Sequence, residues 1–296
     1  MFVLFTVAFF ISLLAIVKAS ETVVFDSVAE VNSNKAEKRN LRSLDNPNLR
    51  SHDHSLSGPQ LFHSIAKKQV KYTDKIEEHK YSEMYGTFLF PYIRRTHQMG
   101  KQIKFFEIGL GCDAVMTTSD VRGVKVWKGV LAEQDELWVA EYDQECVAKA
   151  VKQNMLKGVH VLEGDQSDGQ VLQSWIKASG GKWDVIVDDG GHYQHHIYNS
   201  FKALWPEVKP GGLYFIEDLH VAREFIDKNS NFQESMMDYL YNWQEYLVTN
   251  RVLGEQTAAN LAKYRPPPGI RWIACQAEAC VIAKCEDMSN EVTRCT

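Results

Sequence analysis

Two groups of acidic residues each follow a strongly apolar run. In "DVIVDDGGHYQHH", residues 184–196, Asp188 and Asp189 precede two glycines and His192, with His195 and His196 close behind. In "GGLYFIEDL", residues 211–219, Glu217 and Asp218 close the run. If both runs are buried strands of one sheet, the two groups converge on one edge. Carboxylates crowded where the dielectric constant is lowered repel strongly unless a cation neutralises them. Oxygen ligands of that kind suit Mg²⁺, with Mn²⁺ or Ca²⁺ as alternatives, better than zinc. His192 and His196, four residues apart on one helical face, could form a zinc pair, but the carboxylate surroundings argue against it. His196 otherwise reads as a supporting residue or a satisfied core histidine, and His195 as exposed. Glu217 and Asp218 point in opposite directions in a regular strand, so both can ligate one ion only if the chain bends there.

Those residues need a frame, and the pattern around them supplies one. "KFFEI" (104–108), "ELWVAEYD" (136–143), "VHVLEGD" (159–165), "WDVIVDD" (183–189) and "GGLYFIEDL" each fit a strand buried on both faces. Amphipathic stretches such as "QECVAKAVKQNM", "DGQVLQSWIKASG" and "HHIYNSFKALWPEVK" lie between them. Strands alternating with helices imply a parallel sheet with right-handed crossovers and helices on both sides. After a helical stretch over about 232–264, "IRWIACQAEACVIAKC" reads as two β-runs around a short turn, an antiparallel hairpin. The expected architecture is α/β, a Rossmann-like, doubly wound, mostly parallel seven-stranded sheet with a C-terminal antiparallel hairpin. In such a sheet a ligand lies beyond the carboxyl ends of the strands, near the point where strand order reverses.

Polar residues stand at those ends. The first strand is followed by Gly109 and Gly111, where the backbone can turn sharply and a cofactor can approach, although a turn alone accounts for such a pair. The second offers Glu141 and Asp143, either of which can accept both hydroxyls of a ribose or simply be solvated. Asp165 after the third could address an adenine amino group or cap the following helix. A dinucleotide loop requires a third glycine, but Asp113 and Ala114 lead to that position and no glycine stands there. A carboxylate near that helix start repels phosphate and tolerates a cofactor carrying an amino group and a sulfonium. S-adenosylmethionine fits better than NAD.

With these parts assembled, the chain resembles a class I S-adenosylmethionine-dependent methyltransferase, within the group of metal-dependent macrolide-sugar O-methyltransferases and cephalosporin-hydroxylase-like proteins. The resemblance rests on "TDKIEEHKYSEMY" (73–85), "FFEIGLG", "AEYD", "DDGGHYQHHIYNSF" and "PGGLYFIEDL", and covers about 73–285. It implies Glu107, Gly109, Gly111, Glu141, Asp165 and Asp188 as cofactor-binding residues. It further implies Asp189, Glu217 and Asp218 as metal ligands, with His192 as the general base. Asp188 shapes the turn or touches cofactor rather than binding metal, and Tyr81, Tyr85 and Trp127 read as core. The loop "CDAVMTTSDVRGVKVW" after Gly111 departs from that group's small-residue turn. In the implied mechanism a metal lowers the cost of removing a proton from a sugar-like hydroxyl, and a histidine takes that proton. A vicinal diol could chelate the ion through two oxygens, so sugars and other polyols are the expected substrates.

Composition and the chain ends bound the setting. The chain has 296 residues, 45 % of them hydrophobic, enough for one sizeable core. A net charge of −5 without a long basic run excludes a nucleic-acid footprint. Residues 1–19, "MFVLFTVAFFISLLAIVKA", read as a secretory signal, with an uncleaved type II anchor as the rival because no basic residue precedes the apolar stretch. Residues 20–58 read as a polar, disordered linker, and 59–296 as the methyltransferase-like domain. Within the linker "RNLR", Arg39 to Arg42, resembles the Arg-x-Leu-Arg element of secreted oomycete effectors, and a basic linker also yields such a match by chance.

Cys112 and Cys146 read as ordinary buried thiols, while Cys275, Cys280, Cys285 and Cys295 invite two disulfides; pairing 275–280 with 285–295 is one of three connectivities. A secreted or lumenal location conflicts with a cofactor made in the cytosol. Three resolutions stay open: cofactor transport into a lumen, delivery into another organism's cytoplasm, or a catalytically silent binding protein that retains the fold. An NAD-linked oxidoreductase shares the sheet but has no use for the gathered carboxylates.

Overall fold

The computed structural model describes residues 56–112, 121–224, 234–249, 265–287 and 295. The signal or anchor segment, the linker up to residue 55 with its "RNLR", most of the divergent loop after Gly111 and the helical stretch beyond Thr249 lie outside the described residues.

Seven short apolar runs pair into one sheet: β1 (Lys104–Ile108), β2 (Glu136–Glu141), β3 (His160–Glu163), β4 (Trp183–Asp188), β5 (Val208–Ile216), β6 (Ile270–Cys275) and β7 (Cys280–Lys284). Their order is β3-β2-β1-β4-β5-β7-β6. The first five are parallel, and β7 runs antiparallel to both β5 and β6. This is the expected doubly wound sheet closed by a hairpin. Most strands stop one to three residues before the acids that sequence patterning includes in them. Asp143, Asp165 and Asp189 have left the ladder: Asp143 and Asp165 accept backbone N–H groups in the turns that follow, and Asp189 turns to a buried lysine. Register then aligns the ends: Ile108 sits opposite both Ala140 and Asp188, and Asp188 opposite Ile216.

Side chains alternate between two apolar layers, as a strand buried on both faces requires. Phe105, Val185, Val187, Leu213 and Phe215 face one side. There they meet α1 (Gly58–Gln69), α4 (Phe90–Gln98), α5 (Arg122–Val130) and α6 (Gln144–Lys152). Phe106, Ile108, Ile186, Tyr214 and Ile216 face the other. There they meet α7 (Gly169–Ser179), α8 (Gln194–Leu204), α9 (Leu219–Glu224) and α10 (Met236–Thr249). The N-terminal layer enters through α1, whose Ser57 and Gln60 form a reciprocal capping box. Between α1 and α4 the chain makes two short turns of helix, α2 (Asp74–Glu77) and α3 (Ser82–Met84), and then a π-helical turn over Tyr85–Leu89. π-Turns widen a helix locally and recur at functional sites; this one begins at Tyr85, a residue of the site below.

All six cysteines are paired. Cys275–Cys280 closes the β6–β7 hairpin and Cys285–Cys295 closes the chain after it, which is one of the three connectivities left open by sequence. Cys112–Cys146 corrects the reading of those two residues as buried thiols. The loop leaving β1 runs toward the start of α6, which brings the two Cα atoms to 6.0 Å, within disulfide range.

Candidate active site

A cleft of about 490 Å³ opens at the carboxyl ends of β1 to β5, across the β1/β4 switch in strand order. That is a size suited to a small molecule and the place an open α/β sheet offers one. Gly109 has φ +99°, and a Cβ there would fall 2.1 Å from the carbonyl oxygen of Asp189, so the two strand ends touch through a bare backbone. Gly111 also has positive φ, but nothing lies within 4 Å of its missing Cβ. It borders the open cleft.

The acids around the cleft divide by what they already hold. Both carboxylate oxygens of Glu141 accept backbone N–H groups, from Leu110 at 2.9 Å and Asp143 at 2.9 Å, fastening the loops after β1 and β2 together. Asp143 caps α6. Asp165 lines the cleft and accepts from the Ser167 N–H at 2.7 Å. Burial raises its pKa, but the Ser167 hydrogen bonds, with His196 and His195 nearby, outweigh that and hold it below the usual carboxylate range. The helix cap that Asp165 might have been is supplied by Asp168. His196 lines the same wall with a buried Nδ1 that has no hydrogen-bond partner among the described residues, and its pKa is lowered first by burial and then by His195. His195 is half-buried rather than exposed, since it packs edge-on against His196.

Two of the residues expected at the cofactor stand elsewhere. Asp188 is buried and off the cleft wall, accepting hydrogen bonds from Gln166 at 2.9 Å, Tyr214 at 3.1 Å and Ser200. Burial raises its pKa against those bonds. The same Gln166 accepts the Gly191 N–H at 2.7 Å, so Asp188 shapes the turn that carries His192, one of the two roles its sequence position allowed. Glu107 is also buried and off the cleft wall.

Glu107 belongs instead to a charged cluster centred on Lys75. This lysine is 2 % exposed and sits at 2.6 Å from Asp189 Oδ2, 2.8 Å from Glu217 Oε2 and 3.4 Å from Glu107 Oε1. Tyr85 donates a short hydrogen bond to Glu217. Burial lowers the Lys75 pKa, but Asp189, Glu217 and Glu107 more than reverse this and raise it well above the usual lysine value. Burial pushes the Glu107 carboxyl up to about 7 against the pull of Lys75. Glu217 is also raised well above its ordinary value, by burial and then by Asp189.

In front of this cluster Asp189, His192 and Asp218 face the cleft, with ligand atoms all within 4.8 Å of one another. His192 Nε2 lies 3.6 Å from Asp218 Oδ2. His192 and Asp218 have φ of +56° and +52°, a left-handed conformation that costs a non-glycine residue about 1–3 kcal/mol and recurs at functional sites. The bend that Glu217 and Asp218 needed is therefore present, and it sends the pair to two clusters. Glu217 goes to Lys75 and Tyr85, and Asp218 to the cleft, where Tyr81 donates to its Oδ1 at 2.5 Å. Tyr81, Tyr85 and Trp127 are core residues as expected, yet the two tyrosine hydroxyls hold the site's acids.

Lys75 meets three carboxylates, those of Glu107, Asp189 and Glu217, while Asp218 joins Asp189 on the cleft wall. The oxygen-rich donor set that faces the cleft fits a divalent cation. The open side of Gly111, the acids after β2 and β3 and the unpartnered His196 Nδ1 fit a polar nucleoside-containing cofactor.

No family profile matches the chain. Over 64 residues, 22 % of its length, it is 44 % identical to mycinamicin VI 2''-O-methyltransferase of Micromonospora griseorubida and 49 % identical to demethylmacrocin O-methyltransferase of Streptomyces fradiae. The chain spans 16 % of the length of each of these relatives. Among solved structures, the MycE methyltransferase of the mycinamycin biosynthetic pathway, in complex with Mg and SAH, aligns with a TM-score of 0.57 at 19 % identity, over 76 % of this chain and 54 % of that one. The shared architecture is a class I methyltransferase fold.

Proposed function

We propose that the protein is an S-adenosylmethionine-dependent, divalent-metal-assisted O-methyltransferase acting on a hydroxyl of a sugar-like or diol substrate. The observation that carries this reading is the gathering of Asp189, His192 and Asp218 on the wall of a cleft at the strand-order switch. The names of the two similar enzymes, both O-methyltransferases, and the SAH and Mg of the similar structure support the same chemistry.

Asp189 and Asp218 are the residues that would hold the cation; Glu217, implied by resemblance as a third ligand, is tied to Lys75 and Tyr85 behind them. Glu141, Asp165 and the two glycines would face the cofactor. Once bound, S-adenosylmethionine supplies an electrophilic methyl on sulfonium and the cation lowers the cost of deprotonating a hydroxyl. His192 takes the hydroxyl proton on its imidazole, and Asp218, 3.6 Å away, stabilises the resulting positive charge. An oxygen–methyl bond forms as the sulfur–methyl bond breaks, leaving a neutral thioether. The Gln166–Gly191 hydrogen bond and the positive φ of His192 fix this turn so that the base is aimed before substrate arrives. We further propose a secretory lumen or the cell exterior as its location, a reading that the three disulfides support because such bonds persist in oxidising compartments.

A second reading, a catalytically silent binding protein of the same fold, is favoured by one observation: Lys75 already neutralises Asp189 and Glu217. The test is methyl transfer from S-adenosylmethionine to a panel of vicinal diols and sugars with Mg²⁺ or chelator, alongside calorimetric titration of the cofactor. The catalytic reading expects Mg²⁺-dependent transfer that falls about 10²–10⁴-fold in His192→Ala with cofactor affinity retained. Tight cofactor binding with no transfer to any diol under Mg²⁺ overturns catalysis and leaves the binding protein.

A further inference from the structure

The tip of the β6–β7 hairpin carries Glu278, a residue for which methyl transfer has no use. The tip is held from several sides. Cys275–Cys280 closes it, the Gln276 N–H donates to the Ala279 carbonyl at 2.9 Å, and the Leu219 N–H donates to the Glu278 carbonyl at 2.8 Å. Gln276 also accepts the Met84 N–H at 3.0 Å, which ties the hairpin to α3. Glu278 itself has φ +66°. Its carboxylate is thereby delivered to His79, whose Nδ1 lies 2.5 Å from Glu278 Oε2 and 3.6 Å from Asp218 Oδ1. Ligand atoms of His79, Asp218 and Glu278 all fall within 4.8 Å of one another. That is close to the span that donors around one ion cover when each bond is about 2.0–2.2 Å. A second imidazole is at hand: His220 Nδ1 is 4.0 Å from Glu278 Oε1.

Asp218 connects this group to the cleft. One of its oxygens faces His192 Nε2 and the other faces His79 Nδ1, each at 3.6 Å. We propose that His79, Asp218 and Glu278, with His220 in reach as a fourth ligand, form a second cation site that shares the Asp218 carboxylate with the cleft-facing group. Imidazole together with carboxylate selects a borderline transition-type ion, Zn²⁺ or Mn²⁺, over Mg²⁺. All four side chains are at least partly accessible, so an ion can reach them from solvent. An ion there would lock the hairpin tip and the α2–α3 turn to the end of β5 beside the cleft mouth. The inference does not need methyl transfer to be correct, since His79, His220 and Glu278 have no part in it.

The test is Zn²⁺ titration of the full, oxidised, chelator-stripped chain by calorimetry and metal analysis, comparing the wild type with His79→Ala, Glu278→Gln and Asp189→Asn. Circular dichroism checks folding, and Glu278→Gln, a near-isosteric change on a partly exposed tip, keeps the test valid if His79→Ala misfolds. The expected result is a Zn²⁺ site weakened at least about tenfold in His79→Ala and Glu278→Gln and retained in Asp189→Asn, because losing even an outer-shell partner of a ligand costs a metal site about 10–100-fold in affinity. Zn²⁺ uptake unchanged in both hairpin-side variants overturns the proposal and leaves an ordinary His79–Glu278 ion pair. Loss of the same site in Asp189→Asn also overturns it, by showing a single ion confined to the cleft. Failure of methyl transfer leaves each of these outcomes readable.

Discussion

Replacing Lys75 by Met tests whether the buried ammonium holds the site's acids together. The side chain is nearly isosteric, so packing against Trp127, whose ring centroid is 5.6 Å from the ammonium, is largely kept while the charge is lost. Glu217 and Glu107 are 3 % and 1 % exposed and Asp189 25 %, so three carboxylates at 2.6 to 3.4 Å would lose their cation in a poorly hydrated setting. Removing one partner of a buried pair costs about 3–5 kcal/mol, a fifth or more of the stability of a domain holding about 5–15. The loss should depend on pH in a fixed direction. Glu107 is pushed up to about 7 from its usual 4.5, and Glu217 is also raised well above 4.5, both chiefly by burial and against Lys75. A carboxyl with a raised folded-state pKa favours the folded state fully below its unfolded value and loses that contribution as pH rises through the folded value. Without Lys75 the folded values rise further, so the penalty is smallest near pH 4.5 and grows through 7. Urea denaturation followed by tryptophan fluorescence at about pH 5 and about pH 8 reads this directly. The double variant Lys75→Met/Glu217→Gln should recover about 1–3 kcal/mol of the loss at the higher pH, because it removes one stranded charge. A penalty under about 1 kcal/mol at the higher pH, or one equal at both pH values, would refute the assignment of Lys75 as the site's internal counter-ion.

Two further outcomes follow from backbone and cross-links. Gly109→Ala places a Cβ 2.1 Å from the Asp189 carbonyl at positive φ and should lower stability by at least about 2 kcal/mol, whereas Gly111→Ala, with open space around it, should cost only about 1–2; equal urea midpoints for the two would contradict the contact. Cys112→Ser/Cys146→Ser opens a loop with a sequence separation of 34 and should cost about 4 kcal/mol on loop-closure entropy in the same denaturation assay, and a change under about 1 kcal/mol would contradict the cross-link.

The sheet and its hairpin were legible because each strand is an apolar run short enough to exclude a helix and bounded by turn residues. Strand parity held more than was taken from it. Asp188 shares parity with Ile186, so its side chain enters the layer of α8 and meets Ser200 and Tyr214. Glu107 shares parity with Phe105, Asp189 with Val187 and Glu217 with Phe215, which sends all three to the layer that contains Lys75. The lysine itself gave no local signal. Its bonded partners lie 114 and 142 residues away, and "TDKIEE", although part of the stretch that carries the resemblance, does not show that its lysine is buried until the layers are assembled. Cys112–Cys146 stayed hidden for a similar reason. Six cysteines admit 15 pairings, and a C-terminal cluster of four drew the pairing arithmetic to itself.

The bare contact between Gly109 and the Asp189 carbonyl, reinforced by the Asp189 N–H donating to the Ile108 carbonyl at 3.0 Å, leaves no slack between the loop after β1, proposed to face the cofactor, and the first carboxylate proposed to hold the cation. Where binding on one side of that seam displaces it, binding on the other side feels the displacement, and the two affinities are linked. Whatever factor the cation adds to cofactor affinity, the cofactor must add to cation affinity in equal measure. The pair would then assemble cooperatively, and an enzyme short of either one would hold the other only weakly.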